Sequence, residues 1–410
     1  MLIEHLNHRL REVESQVLCR ERRTAESPCA PRQQVTVAGM GQGAATRSML
    51  AFCSNDYLGL ANHPALIEAI AEGARRFGVG SGASHLISGH SRAHALLEDE
   101  LARWMSRSIP QARVLTFCTG YMANLALLTA LGDGNATIIA DRLNHASLVD
   151  GALLARARLQ RYPHGRLDLL KSHLSRCDTP IKLIVSDAVF SMDGDLADLP
   201  ALLALADAHD AWLVIDDAHG FGVLGERGGG SLSHFGLRSE RLIYMGTLGK
   251  AAGLGGAFVA AHPTVIDWLV QSARSYIYTT AAPPAIAHAL CASLRLIEGE
   301  EGEARRARLR QLIGMLRDRL TTLIQRFSHL GWRLTDSATA IQSLIVGDNA
   351  AALALASSLD AQDLWVPAIR PPTVPTGTAR LRITLSAAHT SQDVQILADA
   401  LSRAAAGGRQ

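Results

Sequence analysis

Three side chains in the middle of this chain are suited by type and spacing to carbonyl chemistry. Lys250 lies in a glycine-rich turn just after an apolar run, and Asp216 and His219 follow an earlier apolar run. A lysine amine can form a Schiff base with a carbonyl, and a carboxylate and an imidazole can hold or move protons beside it. Leu248 and several glycines flank Lys250, a setting that argues against an ordinary solvated lysine.

Pyridoxal phosphate is the cofactor that would suit these three residues. In such sites a lysine holds the cofactor, and an acidic side chain keeps the pyridine nitrogen protonated so that the ring can accept electrons. Each residue taken alone also has an ordinary structural interpretation, as a loop lysine, a strand-end acid or an exposed imidazole. The ordered set of aspartate, histidine and then lysine after the next strand predicts an enzyme that forms a carbanion.

Composition and charge indicate the broad class of the protein. Its 410 residues are 48% hydrophobic and 19% charged, which is typical of a globular protein with room for two domains. The formal net charge of +2 gives no reason to expect a nucleic acid or a membrane as partner. The six cysteines form no Cys-x-x-Cys pair, so we expect reduced thiols in a cytoplasmic protein without a metal site. We also expect neither a secretory signal nor a membrane span.

Short apolar runs alternate with helical patterns through much of the chain, which predicts an α/β protein with a largely parallel sheet and helices on both faces. The predicted strands lie at 114–117, 137–140, 182–186, 212–216, 242–245 and 257–260. The last two are too close together for a crossover helix, so we expect that pair to be antiparallel.

The two ends of the chain differ from the middle. Residues 1–30 have the pattern of a charged helix, and a polar, glycine-bearing stretch follows to about residue 47. Pro283 and Pro284 mark a boundary, after which a long helical pattern continues through Phe327. Beyond it, the predicted strands lie at 332–335, 341–346, 365–369 and 381–385. The predicted units are an N-terminal helix and arm (1–50), a large α/β domain (51–284) and a smaller C-terminal α+β domain (285–410).

Polar residues at the predicted carboxyl ends of the strands are candidate ligands, because open parallel sheets bind ligands there. Gly120 and Tyr121 begin a helix after one strand, where free N–H groups can bind phosphate. His145 follows the next strand and could stack on a ring, and Ser191 lies past a third. Each of these also has a structural interpretation as a turn, a helix cap or a core residue.

Other motifs lack the context that their usual chemistry requires. The glycines at 78–82 do not have Gly-x-Gly-x-x-Gly spacing and follow no clear strand, so a nicotinamide dehydrogenase fits poorly. His90 and His94 lie one helical turn apart without the glutamate of a His-Glu-x-x-His motif. A polar helix face is the preferred interpretation of that pair.

Five segments, in this order, resemble the pyridoxal-phosphate α-oxoamine synthases over nearly the whole chain. They are Ser-Asn-Asp-Tyr-Leu-Gly-Leu at 54–60, Gly-Ser-Gly-Ala-Ser at 80–84, Val-Phe-Ser-Met-Asp-Gly-Asp at 189–195, Asp-Asp-Ala-His at 216–219 and Thr-Leu-Gly-Lys at 247–250. Members of this family are fold-type I enzymes that join an amino acid to an acyl thioester with loss of CO2. The resemblance implies pyridoxal 5'-phosphate as cofactor, a mostly parallel seven-stranded sheet in the large domain, and a homodimer.

The resemblance also implies roles for individual residues. The expected catalytic residues are Lys250, His145, Asp216 and His219. The expected cofactor-binding residues are Gly120, Tyr121, His145, Ser191, Asp216, His219, Thr247 and Lys250. The expected substrate-binding residues are Arg20, Asn55, His145, Arg370 and Thr373. Arg22 is the alternative to Arg20, because Cys19 replaces the aromatic residue usual before that arginine.

Two further segments bear on the substrates. Residues 87–94 and 368–382 resemble the members of the family that condense L-alanine with a pimeloyl thioester in biotin synthesis. The acyl donor is carried by coenzyme A or by an acyl carrier protein. The alternatives are a glycine C-acetyltransferase of the same family, a nicotinamide-dependent oxidoreductase, and a non-catalytic binding protein.

Overall fold

A computed structural model describes residues 1–15, 18–19, 22–37 and 45–407 of the chain. The strands of this part are β1 Arg23–Ala25, β2 Arg32–Val37, β3 Ala45–Ala51, β4 Arg113–Phe117, β5 Ala136–Asp141, β6 Arg158–Tyr162, β7 Ile181–Asp187, β8 Trp212–Asp216, β9 Leu242–Thr247, β10 Ala257–Ala261, β11 Arg333–Leu334, β12 Ile341–Gly347, β13 Leu364–Trp365, β14 Ala368–Ile369 and β15 Ala379–Thr384.

The α-helices of the same part lie mainly between the strands. They are α1 Leu2–Ser15, α2 Pro64–Phe77, α3 Arg92–Met105, α4 Gly120–Leu131, α5 Ala146–Leu154, α6 Leu167–Ser175, α7 Leu199–Ala208, α8 Gly230–His234, α9 Pro263–Ser272, α10 Arg274–Ile277, α11 Pro284–Glu298, α12 Glu300–Arg326, α13 Asn349–Asp360 and α14 Ser391–Gly407. None of these helices combines the length and the apolar character needed to cross a membrane.

The central sheet has seven strands in the order β4-β10-β9-β8-β7-β5-β6. Strand β10 pairs antiparallel with both β4 and β9, and the pairs from β9 through β8, β7 and β5 to β6 are parallel. The predicted α/β class, the mostly parallel seven-stranded sheet and the antiparallel pair are therefore confirmed. Strand β6 was not predicted, because its sequence Arg-Leu-Gln-Arg-Tyr is largely polar, as is common for a strand at a sheet edge.

Alternation along the buried strands sends their side chains into two apolar cores, one on each face of the sheet. In β8, Leu213 and Ile215 belong to one core and Val214 to the other. Asp216 follows in the register of Val214, so its side chain points to the face that α4 covers. The same pattern that buries the strand therefore positions a carboxylate at its end.

The prediction of a helix over residues 1–30 holds for Leu2–Ser15 and is wrong for the described residues after it. Strands β1, β2 and β3 form a separate sheet with β13, in which β2 and β3 pair antiparallel. Pro28 and Pro31 disfavour helical backbone in the residues that precede them, and Val35 and Thr36 are β-branched. A composition rich in arginine suggested a helix, but the prolines and the alternation in β2 decide the outcome.

The C-terminal part has an antiparallel sheet in the order β11-β12-β15-β14, packed with α12, α13 and α14. The predicted long helix is two helices, because Gly299 interrupts it between α11 and α12. The predicted strand at 365–369 is two short strands in different sheets, separated by Val366 and Pro367. Phe52 O accepts a hydrogen bond from Thr384 N at 2.8 Å, so residues just after β3 contact the C-terminal sheet. The division at residues 50 and 284 stays a prediction.

Candidate active site

A cavity opens at the carboxyl ends of the central strands, where ligands bind in open parallel sheets. Its lining comes from the ends of β7, β8 and β9 and from the loops that follow β4, β5 and β9. The lining residues are Gly120, Tyr121, Asn124, His145, Ser147, Asp187, Asp216, Ala218, His219, Met245, Thr247 and Lys250. We call this the lysine cavity. It brings together seven of the residues proposed from the sequence.

Asp216 is fixed by hydrogen bonds to both of its carboxylate oxygens. Asn124 Nδ2 donates to Oδ2 at 2.7 Å, and the backbone N–H of Ala218 donates to Oδ1 at 2.9 Å. Asn124 Nδ2 also contacts Ser147 Oγ at 2.9 Å, which holds the amide in place. The carboxylate is only 3% exposed and lines the cavity. A buried carboxylate in such a position can hold a proton on a nitrogen base that binds beside it.

Lys250 presents its amine to the same cavity. Its Nζ lies 2.8 Å from His219 Nε2. Burial lowers the pKa of the Lys250 amine to about 8, although the nearby Asp216 carboxylate opposes the shift. About a tenth of the amine is therefore neutral at pH 7, far more than for an ordinary lysine, and the neutral form is the one that acts as a nucleophile or a general base.

In the glycine-rich turn around Lys250, the position of Gly253 requires a glycine for steric reasons. Its φ is +73°, and a Cβ there would lie 2.6 Å from the backbone carbonyl carbon of Leu60. The N–H of Gly253 donates to Lys250 O at 2.8 Å and closes the turn. A glycine is required because the backbone is left-handed and packed against a neighbouring segment.

His219 connects Lys250 to a chain of buried polar groups. Its Nδ1 lies 2.5 Å from Tyr57 Oη, and the Tyr57 hydroxyl is 3.1 Å from Asn55 Oδ1. Arg382 Nη2 donates to the same Asn55 oxygen at 3.3 Å, and Arg382 Nε donates to Ser191 O at 2.6 Å. Burial and the charge of Lys250 lower the pKa of His219 well below its usual value, so the imidazole is neutral. The proposed substrate residue Asn55 thus lies beside the cofactor residues.

His145 lies between the β5 loop and α5 and is held from two sides. Its backbone N–H donates to Asp187 Oδ2 at 2.6 Å, and its Nδ1 lies 2.7 Å from Ser147 Oγ. Burial lowers the pKa of His145, and burial followed by the charge of Asp216 raises the pKa of Asp187 well above its usual value. A neutral imidazole with a fixed edge is suited to stack on a planar ring.

The end of the cavity at α4 has the features of a phosphate site. Thr119 caps the helix by accepting a hydrogen bond from Met122 N at 3.2 Å. Gly120 and Tyr121 occupy the first turn, where N–H groups have no partner within the helix. A Cβ on Gly120 would approach nothing closer than 3.5 Å, so space beside the helix end remains for a ligand. Thr247 also lines this cavity.

A second cavity adjoins the first through His145, which lines both. We call it the acyl cavity. Ser191 and Thr373, two of the proposed ligands, lie in its wall. Arg370 lines neither cavity, although its carbonyl accepts a hydrogen bond from Thr373 N at 3.1 Å. Arg20 lies outside the described residues, and its alternative Arg22 is exposed.

The residues present fit pyridoxal phosphate. They supply a buried amine with a lowered pKa, a fixed carboxylate, a neutral imidazole, and an open helix terminus with space beside it. Sequence reasoning missed Tyr57, Asn124, Ser147, Asp187 and Arg382. Tyr57 and Arg382 lie in segments that carried the family resemblance, so they were visible there without an assigned role. Asn124 lies in the middle of the apolar α4, where a lone polar residue is a usable signal.

Three histidines that line neither of these two cavities lie close together. The ligand atoms of His85, His90 and His94 all lie within 4.8 Å of one another. Both ring nitrogens of His94 already contact protein groups, since Nδ1 accepts from Ser91 N at 3.0 Å and Nε2 is 2.8 Å from Ala282 O. These contacts favour a structural cluster over a metal site. The polar-face interpretation is wrong for His94, which is buried.

Comparison with known proteins agrees with this geometry. The family model for aminotransferase class I and II matches residues 47–401. This chain belongs to that family. A curated relative from Polaromonas sp. (strain JS666 / ATCC BAA-500), named 8-amino-7-oxononanoate synthase 2, is 74% identical over 405 residues, which is 99% of each chain. The predicted α-oxoamine synthase resemblance is thereby confirmed.

Solved structures extend the likeness to the whole fold. A structure titled SPT with a PLP internal aldimine has a TM-score of 0.89 and 26% sequence identity, and 99% of each chain is covered. A structure of 8-amino-7-oxononanoate synthase from Francisella tularensis has a TM-score of 0.73 and 31% identity, covering 87% of this chain and 97% of that one.

Proposed function

We propose that this chain condenses L-alanine with a pimeloyl thioester, with loss of CO2, to form 8-amino-7-oxononanoate, using pyridoxal phosphate. The observation that carries the proposal is the buried Lys250 amine, 2.8 Å from His219 in a cavity that also holds Asp216. The 74% identity to a synthase of that name supports the choice of reaction within the family. None of the relatives described above bears the name of the glycine-using alternative.

The proposed cofactor-binding roles are those that the family resemblance implies; the lysine cavity supports them for all of the proposed residues except Ser191, which lies in the wall of the adjoining acyl cavity. Lys250 would hold the cofactor covalently, and Asp216 would keep a proton on the pyridine nitrogen. His145 would cover one ring face, His219 would lie beside the phenolic oxygen, and the end of α4 would bind the phosphate with Gly120, Tyr121, Ser191 and Thr247. When bound, the cofactor withdraws electrons from the Cα of the amino acid and so stabilises a carbanion there.

The chain's own groups would then move protons and orient substrates. Lys250, with a pKa of about 8, would remove the Cα proton of alanine and return a proton after CO2 is lost. Asn55 and Arg370 would hold the alanine carboxylate, Thr373 and His145 would contact the acyl thioester, and Arg20 or Arg22 would lie at the substrate entrance. Walls that exclude water protect the carbanion from stray protonation.

Covalent trapping at one residue tests the proposal directly. The purified protein with added pyridoxal phosphate should absorb visible light, and borohydride reduction should fix the cofactor to Lys250. Lys250→Ala should lose both the trapped adduct and turnover, whereas Lys182→Ala, at a lysine that lines neither cavity, should keep them. Product formation should then be compared for alanine, glycine and serine with pimeloyl and acetyl thioesters. Turnover by Lys250→Ala would contradict the mechanism, and preference for glycine would contradict the substrate assignment.

We further propose a cytoplasmic homodimer that takes its acyl group from coenzyme A or acyl carrier protein. Helix α1 has no buried residue, and Leu2, Leu6, Leu10 and Val13 form an exposed apolar stripe along it. Such a stripe needs a covering surface, which a second copy would supply. Thr279 or Thr280 would reach the partner's phosphate site. Sedimentation should give a dimer, and a monomer at micromolar concentration would contradict this assembly.

A further inference from the structure

Apolar side chains form the larger part of the acyl cavity's wall. Leu143, Val149, Phe190, Met192 and Val374 contribute much of it, together with prolines on the side of Thr373. Apolar walls of this kind suit a chain of methylene groups, and a few placed polar groups fix its orientation. The cavity meets the lysine cavity at His145, so a chain that reacts there would extend into this space.

Arg142 is the cation in that wall without an acidic partner among the described residues. The other charged groups that line the cavity are already engaged, since Asp193 pairs with Arg380 and Asp150 accepts a hydrogen bond from the Tyr121 hydroxyl. His145 is neutral for the reasons given above. A carboxylate that enters the cavity therefore has, among the described residues that line it, one guanidinium available for a two-point hydrogen bond.

The backbone that carries Arg142 is held firmly. Its N–H donates to Tyr162 O at 3.0 Å, and its carbonyl accepts from Arg161 Nη2 at 2.8 Å. Three residues later, the N–H of His145 donates to Asp187 at 2.6 Å. One short turn, anchored at both ends, thus carries both the guanidinium and the imidazole at the reacting end. The backbone positions of Arg142 and His145 are therefore fixed relative to each other, which limits how far apart the guanidinium and the imidazole can lie.

We propose that Arg142 binds the distal carboxylate of a dicarboxylic acyl thioester and so selects both its charge and its length. This inference rests on the proposed function and adds to it a residue that recognises the far end of the acyl chain. Arg142 is a specificity residue, because it contacts the end of the substrate that does not react. A monocarboxylic acyl thioester of equal length would leave the guanidinium without its partner.

Binding of two thioesters to the holoenzyme tests the assignment without turnover. Calorimetry should show that pimeloyl-CoA binds more tightly than heptanoyl-CoA, which lacks the distal carboxylate. In Arg142→Gln this preference should shrink by about tenfold to a hundredfold, the range expected for hydrogen bonds to a charged group. Arg142→Lys should keep part of the preference, because it retains the charge without the planar fork. The exposed Arg156, which lines neither cavity, supplies the control Arg156→Gln, in which the preference should persist.

Chain length gives a second measurement. Binding across adipyl-, pimeloyl- and suberyl-CoA should peak at one length in the wild type and flatten in Arg142→Gln. Equal binding of pimeloyl- and heptanoyl-CoA by the wild type, or an unchanged preference in a correctly folded Arg142→Gln, would overturn the inference. A pimeloyl preference that depends on Arg142 in a protein that forms no product with alanine would count against the proposed function alone.

Discussion

Tyr57 Oη and His219 Nδ1 lie 2.5 Å apart in the buried interior, behind the amine of Lys250. The direction of the hydrogen bonds follows from their neighbours. Asn55 Oδ1 can only accept, so the Tyr57 hydroxyl donates to it at 3.1 Å and accepts from His219 Nδ1–H. Nε2 of the neutral imidazole then accepts from Lys250 Nζ at 2.8 Å. Tyr57 thereby keeps the proton of His219 on Nδ1, so that the unprotonated Nε2 faces the Lys250 amine.

Replacing Tyr57 with phenylalanine should disturb His219 and should also remove one hydrogen-bond donor from Asn55, a proposed substrate ligand. The buried Nδ1–H would lose its acceptor, which costs about 1–3 kcal/mol of folding free energy. The imidazole could then reorient, and we expect kcat to fall by up to about a hundredfold. KM for alanine should rise by much less, because Arg382 still donates to Asn55 Oδ1. Stopped-flow kinetics and denaturant unfolding would measure these effects. Tyr162→Phe is the control, since Tyr162 is equally buried but lines neither cavity. Equal effects in both variants would contradict a positioning role.

Two adjacent buried carboxylates offer a matched test of the proposed role of Asp216 beside the pyridine nitrogen. Asp216 faces the lysine cavity, whereas Asp217 accepts hydrogen bonds from Ser231 N and the Tyr244 hydroxyl. Asp216→Asn should lower the rate of Cα proton exchange by about two to three orders of magnitude, as loss of a buried electrostatic contact to a developing charge does. Asp217→Asn should keep that rate and lose stability instead. The exchange of alanine Cα protons with deuterated solvent is the measurement, and similar rates in the two variants would refute the assignment.

The sequence predicted the regular elements of this fold better than its irregular ones. The apolar runs of β8 and β9 were sufficient to predict these two strands, because a short run that is buried on both faces leaves little alternative to a strand. Strand β6 and the sheet formed by β1, β2 and β3 were missed, because such edge and surface strands carry polar residues and depend on partners distant in sequence. Their existence depends on tertiary pairing, which local patterns do not encode.

The same distinction holds for the site. Lys250, Asp216 and His219 follow recognisable strands, so their convergence could be predicted from the rule for strand ends. Asn124 and Tyr57 come from a helix and an early loop, and their contacts depend on how those elements pack against the sheet. Arg142 was passed over because an arginine after a strand has no special meaning until a cavity wall forms around it.

The lowered pKa of Lys250 predicts how cofactor capture depends on pH. Only the neutral amine attacks an aldehyde, so the capture rate of the apoenzyme should rise by about tenfold per pH unit below about 8 and level off above it. An unburied amine such as N-acetyl-lysine should continue to gain rate up to about pH 10.4. Stopped-flow absorbance would record both profiles. A protein profile that follows the free amine would show that burial does not shift this group.

The contacts of His164, near the end of β5, predict how the stability of the protein depends on pH. His164 lies 3.0 Å from Asp141 Oδ2 at the end of β5 and 2.9 Å from Asp195 Oδ2 in the segment that also supplies Ser191. Hydrogen bonds to Asp141 and then Asp195 raise the pKa of His164 from 6.5 to about 10. Because folding raises the pKa of His164, its protonation stabilises the folded state. This stabilisation is fully present below pH 6.5, the unfolded pKa, and declines as the pH rises from there to about 10.

His164→Gln should therefore lower the free energy of unfolding by about 1–3 kcal/mol near neutral pH, because it removes charge-assisted hydrogen bonds at a partly exposed site. The difference between wild type and variant should shrink steadily above neutral pH and be nearly lost at about pH 10, where the wild-type imidazole also loses its charge. Urea unfolding at several pH values would measure it. The exposed His329, which has no acidic partner among the described residues, supplies the control His329→Gln, whose deficit should be small at every pH. A deficit in His164→Gln that stays constant with pH would mean that the imidazole packs in this segment without carrying a charge.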